Sequence, residues 1–119
     1  MELPEHFPAL PSAAPHMHWS ADMVQAHQTL TNIFNSARTS LNLDESDTIR
    51  LQFHLDRAIN EVVPILDAIS SHEDNPLPAD VVEHMVLAMA LLVVHLRSAL
   101  ESSQTRSVLQ LKYELEMNY

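Results

Sequence analysis

The sequence predicts an all-α protein, a small bundle of about four helices preceded by a proline-rich extended arm. The chain of 119 residues contains no glycine, which disfavours primed hairpin turns and β-bulges. Apolar residues recur with alternating spacings of four and three in long stretches of the chain, as on the buried face of a helix in a bundle. Apolar residues make up 46% of the sequence, which is enough for one hydrophobic core of normal size.

Residues 1–19 are predicted to form the arm. The stretch contains four prolines, which interrupt any helix: Pro4, Pro8, Pro11 and Pro15. Its apolar side chains, among them Phe7 and Trp19, offer a way to dock the arm on the bundle. Because chain termini fray unless they are tied down, we expect residues up to about Ala14 to be frayed. Residues 20–119 form the predicted bundle domain.

Helix 1 is predicted from about Asp22 to Arg38. Ser20 is a suitable N-cap, and Asp22 complements the helix dipole in the first turn. Residues 39–42 are predicted to form the loop that follows.

Helix 2 is predicted from about Glu45 to Ile69, with Asp44 as its cap. Its apolar seam keeps the same phase from Leu51 to Ile69, although Pro64 lies inside this run and removes one backbone hydrogen bond. A continuous seam predicts one helix that is kinked at Pro64. Residues 70–79 contain two Xaa-Pro pairs and form the clearest predicted loop.

Helix 3 is predicted over about residues 79–102 as the most buried helix, and helix 4 from about Thr105 to the last residue. The sequence LQLKYELEM at 109–117 alternates like a strand, but its residues are strong helix formers and no partner strand is evident. The pattern is still running at Tyr119, which leaves open that the chain is the N-terminal part of a longer protein.

The centre of helix 3, Met85–Leu96, has eleven apolar residues in twelve and carries apolar side chains on opposite faces. One arrangement that covers both faces is a central helix surrounded by the other three. In the other arrangement, a face carrying Leu87, Leu91 and Val94 contacts another subunit. Because the other helices offer little covering surface, we expect the second arrangement. It is a homodimer interface bordered by His84 and His95.

The composition disfavours several classes of function. The formal net charge of −10 repels nucleic-acid phosphates and anionic lipid. The absence of glycine and cysteine argues against phosphate-binding loops, nucleophile elbows and thiolate chemistry. The first residues lack the basic and apolar regions of a signal peptide, so we expect an intracellular protein, cytoplasmic or nuclear.

The sequence therefore predicts a non-enzymatic interaction module, an oligomerisation or docking domain, with no cofactor. Its partner is itself or another protein, and neither nucleic acid nor a membrane is expected. The alternative is a metal-binding helical bundle that uses His84, His95 and nearby acids, because imidazole is a common metal ligand. No helix carries the His-Glu-x-x-His pattern, so no catalytic or metal-ligating residue is assigned.

Overall fold

The computed structural model describes residues 2–11, 19–42, 47–71 and 77–118. Four helical segments, and no strand, occur in these residues: α1 (Ala21–Asn42), α2 (Thr48–Asn60), α3 (Val62–Ser70) and α4 (Ala79–Asn118). The prediction of an all-α protein is confirmed. Because Glu61 alone separates α2 from α3, the helices pack as three rods and not as the four that the sequence predicted.

α1 begins as predicted and ends later. The Ser20 hydroxyl accepts a hydrogen bond from the Met23 N–H at 3.1 Å, which confirms the N-cap. The predicted loop at residues 39–42 is wrong, because α1 continues to Asn42. Ser40 in this last turn is buried, and its hydroxyl lies 3.0 Å from Nε2 of His54 on α2. This contact requires Ser40 to be part of the helix.

α2 and α3 replace the single kinked helix that was predicted. Asp47 caps α2, since its carboxylate accepts hydrogen bonds from the N–H groups of Ile49 and Arg50; the predicted cap Asp44 lies outside the described residues. The interruption falls at Glu61 and not at Pro64, which lies in the first turn of α3. Helix N–H groups in the first turn have no intrahelical acceptor, so a proline is tolerated there.

α4 is one continuous helix of 40 residues, about 60 Å long. The predicted separation into helices 3 and 4 near residues 102–105 is wrong. The stretch Ser-Ser-Gln-Thr at the predicted boundary contains neither proline nor glycine, so nothing in it stops a helix that is already formed. The predicted start near residue 79 is confirmed.

The core lies between the three rods. It contains Phe34 and Leu30 of α1, Leu51 and Leu55 of α2, Ile69 of α3, and Met85, Leu92 and Leu96 of α4, among others. Polar contacts close the end of the bundle where α2 begins. There the hydroxyls of Thr48 and the buried Ser103 lie 2.9 Å apart. Among the described residues, no buried side-chain nitrogen or oxygen lacks a hydrogen-bond partner.

Residues 2–11 of the arm are packed on the bundle, so the expectation of a frayed end is wrong for them. Three side chains donate hydrogen bonds to three proline carbonyls: Arg38 to Pro4 at 2.8 Å, His27 to Pro8 at 2.8 Å, and Trp19 to Pro11 at 2.9 Å. Phe7 is buried, with its ring centroid 5.7 Å from that of Phe34. The arm therefore runs antiparallel to α1.

Leu96→Ala should lower the free energy of unfolding by roughly 2–5 kcal/mol, because it opens a cavity in a packed core. Leu96 is fully buried on α4, whereas Val94, on the opposite side of the same helix, is 60% exposed. Val94→Ala is therefore the matched control and should change stability by less than about 0.5 kcal/mol. Chemical denaturation measures both, and equal losses would contradict the assigned orientation of α4.

Phe7→Ala should lower the free energy of unfolding by roughly 3 kcal/mol, because its ring fills a site against Phe34 and His27. Glu5→Ala on the exposed part of the arm is the control. A loss below about 1 kcal/mol for Phe7→Ala would show that the arm adds little to stability.

Candidate protein-binding surface

α4 extends far beyond the helices that cover it. Its side chains from Gln104 to Met117 are all exposed, and we call these residues the projecting segment. The described part of the molecule is accordingly elongated, with extents of 74 × 22 × 18 Å. The projecting segment accounts for about 20 Å of that length.

The bundle ends at Ser103 because the buried seam of α4 turns polar there. At about 100° per residue, the direction of Leu96 and Ser103 is continued by Ser107, Gln110 and Glu114. Polar side chains give no apolar surface to the ends of α1 and α2, so none of the helices in the described residues packs on the segment.

The apolar side chains of the projecting segment lie on both flanks of this polar line. Six large ones are between 52% and 67% exposed: Val108, Leu109, Leu111, Tyr113, Leu115 and Met117. The alternating sequence that resembled a strand places apolar residues on two sides when it forms a helix. Soluble monomers rarely leave so many large apolar side chains exposed close together.

The predicted interface residues Leu87, Leu91 and Val94 lie on α4 opposite the core, and we call them the outer patch. Leu87 is 44% exposed, Val94 is 60% exposed and Leu91 is half-buried. α4 is therefore not a central helix covered on all sides.

The packed arm forms one wall of a pocket beside the outer patch. The pocket has a volume of about 360 Å³, and its lining includes Pro4, Pro8, His84, Leu87, Ala88 and Leu91. His84 is exposed and lies beside the outer patch. His95 is half-buried and lines a different surface hollow, with Leu3, Leu41 and Ala99. We call the pocket that Pro4, Pro8 and His84 line the arm pocket.

The two histidines of the metal-binding alternative are not brought together. They are eleven residues apart on one helix, which separates them by about 16 Å along its axis. Across the described ranges, no group of three histidine, aspartate or glutamate side chains is arranged to hold a metal ion.

The sequence indicated the outer patch but missed the arm pocket and the projecting segment. The pocket depends on contacts between the arm and α1, more than fifteen residues away along the chain. Its only sequence signal was Phe7 among the prolines. The projecting segment was missed because helix 3 was predicted to end near residue 102 and a separate helix 4 to begin near Thr105, although the polar residues at 107, 110 and 114 already broke the seam.

α4 is, among the described residues, the one helix long and apolar enough to cross a membrane, by length and composition alone. Its most apolar part also supplies Met85, Met89, Leu92 and Leu96 to the core.

No protein-family model, curated protein or solved structure matches this chain.

Proposed function

We propose that this protein is a non-enzymatic helical interaction domain that associates with a second copy of itself through the exposed apolar surface of α4. The projecting segment is the observation that carries the proposal. It holds six large apolar side chains that no helix of the described chain covers, and association buries such surface at a gain of roughly 25 cal/mol per Å².

A partner protein accounts for this surface better than a lipid bilayer does. Insertion of α4 into a bilayer would remove Met85, Leu92 and Leu96 from the core, where they are fully buried. The chain also carries a net charge of −10, which opposes approach to anionic lipid. Pairing with another helix leaves the core intact and covers only what is exposed.

The double variant Val108→Glu/Leu115→Glu should shift the protein from dimer to monomer in sedimentation velocity at about 100 µM, because it places charge in the buried part of the contact. Both side chains lie beyond the bundle and more than half exposed. The substitution should therefore leave the helical circular dichroism unchanged, and also the denaturation midpoint at protein concentrations below the dissociation constant of the dimer.

Gln110→Glu is the matched control, since it adds one charge on the polar side of the same segment and should leave the dimer in place. Wild-type protein that remains a 13.4 kDa monomer at several hundred micromolar would contradict the proposal. Vesicle flotation of wild type provides the second arm, and capture by neutral or anionic vesicles would point to the bilayer instead.

A further inference from the structure

We infer that two copies pair antiparallel along α4, so that the projecting segment of each copy covers the outer patch of the other and fills its arm pocket. This inference rests on the proposed self-association and specifies its geometry. In this dimer the projecting segment, the outer patch and the arm pocket all belong to one contact with two-fold symmetry.

The outer patch and the projecting segment lie on one line of α4, opposite the core. Alternating steps of four and three residues lead from Leu87 to Leu115. The full line is Leu87, Leu91, Val94, Ser98, Glu101, Thr105, Val108, Lys112 and Leu115. This is the spacing by which one helix faces another over many turns. The line is apolar from Leu87 to Val94, polar in its middle, and mostly apolar again from Val108.

Antiparallel pairing about a two-fold axis between residues 99 and 100 brings unlike ends together. Leu91 meets Val108 of the second copy, and Val94 meets its Thr105. Near the axis Ser98 faces Glu101, which also comes next to Arg97 of the other chain. The axis repeats each contact, as in any closed dimer.

In the proposed register Lys112 lies opposite Leu87 at the outer end of the contact, where its ammonium group can extend into solvent. Other pairings place charge further inside the contact or on like charge. A shift by one heptad sets Lys112 against Val94 in one direction and Glu101 against Leu91 in the other. Parallel pairing in register sets Glu101 against Glu101 and Lys112 against Lys112, which is unfavourable. It also places the two bundles side by side at the same level, although each is strongly acidic.

The same register fills the arm pocket. Leu109 of the second copy falls level with Ala90, next to Leu91, and Tyr113, one turn further on, falls level with Val86, between His84 and Ala88 of the pocket lining. The pocket volume of about 360 Å³ is of the size that accepts bulky side chains. The arm thereby forms part of the interface, although it is remote from α4 in sequence.

Charge favours the pairing along this part of α4. From Arg97 to Met117, three basic and three acidic residues cancel, whereas the rest of the chain carries three basic and thirteen acidic residues, a net charge of −10. Antiparallel contact brings the neutral segments together and offsets the acidic bundles along the axis, which limits their repulsion.

The paired strips are long enough for a weak specific dimer. Residues 84–115 of each helix overlap along about 47 Å, and a strip about 10 Å wide covers on the order of 500 Å² per chain. This is below the roughly 800 Å² per partner of a standard interface, so we expect a dissociation constant in the micromolar range.

Disulfide trapping tests the register, because the chain contains no cysteine and each introduced thiol is therefore unique. Val94→Cys mixed with Thr105→Cys should give a cross-linked dimer on oxidation. Each variant alone should give little, since antiparallel pairing separates like positions by about 16 Å. Both positions are exposed, so neither substitution disturbs the core. Val63→Cys, on the exposed side of α3, is the control for random collision.

The outcomes separate this inference from the proposed function. Cross-linking of Val94→Cys with itself would show parallel pairing, and a wild-type dimer without any cross-link would place the contact elsewhere. Either result overturns the antiparallel geometry and leaves self-association standing. A wild-type monomer overturns both.

Occupation of the arm pocket is tested by Leu109→Ser/Tyr113→Ser. We expect the dissociation constant of the dimer to rise at least about tenfold, as for removal of residues that anchor an interface. Gln104→Ser/Gln110→Ser, at two exposed positions of the same segment that lie off the contact line, should change it less than about twofold. Equal effects of the two double variants would show that the pocket is not occupied.

Discussion

A mismatch in helix length governs the architecture of this protein. α4 is about 60 Å long, whereas α1 and the α2–α3 rod each span only about 33 Å. Two short rods cannot cover a helix of nearly twice their length, so α4 leaves the bundle near Ser103. The seam changes from apolar to polar at the same place, which means that the sequence of α4 is matched to the length of its neighbours. Its apolar residues beyond this point lie on other sides of the helix.

The arm covers a part of α4 that the other two rods leave exposed. Two rods pack on one side of α4 and leave its flank near Ala88 open, and the arm closes that flank in part. A proline-rich extended segment suits this position because prolines have no N–H group to satisfy and need donors only for their carbonyls. Arg38, His27 and Trp19 supply those donors at three levels of the bundle. The remaining opening is the arm pocket.

The sequence predicted those features that depend on local pattern. The helical class, the Ser20 cap and the burial of Leu96 follow from periodicity and capping chemistry, which act within a few residues. The exposure of Val94 also follows from periodicity, once the seam through Leu96 defines the inner side. Helix ends were less predictable, because serine and threonine weaken a helix only slightly. Whether the helix continues through them is decided by tertiary contacts, such as that of Ser103 with Thr48. The packing of the arm depends on donors distant in sequence, which no local pattern contains.

The polar residues in the middle of the line from Leu87 to Leu115 affect the specificity of pairing more than its affinity. Apolar residues at Ser98, Glu101 and Thr105 would join the outer patch to the projecting segment in one continuous stripe, and such a stripe pairs in several registers and in both directions. Polar residues in a helical seam reduce stability but specify register and orientation. With charge at Glu101 and Lys112, each alternative pairing buries charge against an apolar group or a like charge. The antiparallel register separates like charges, sets Glu101 beside Arg97 of the other chain, and places Lys112 against Leu87 only at the outer end of the contact, where a lysine ammonium group can extend into solvent. The same polar residues therefore limit the strength of association and favour one geometry for it.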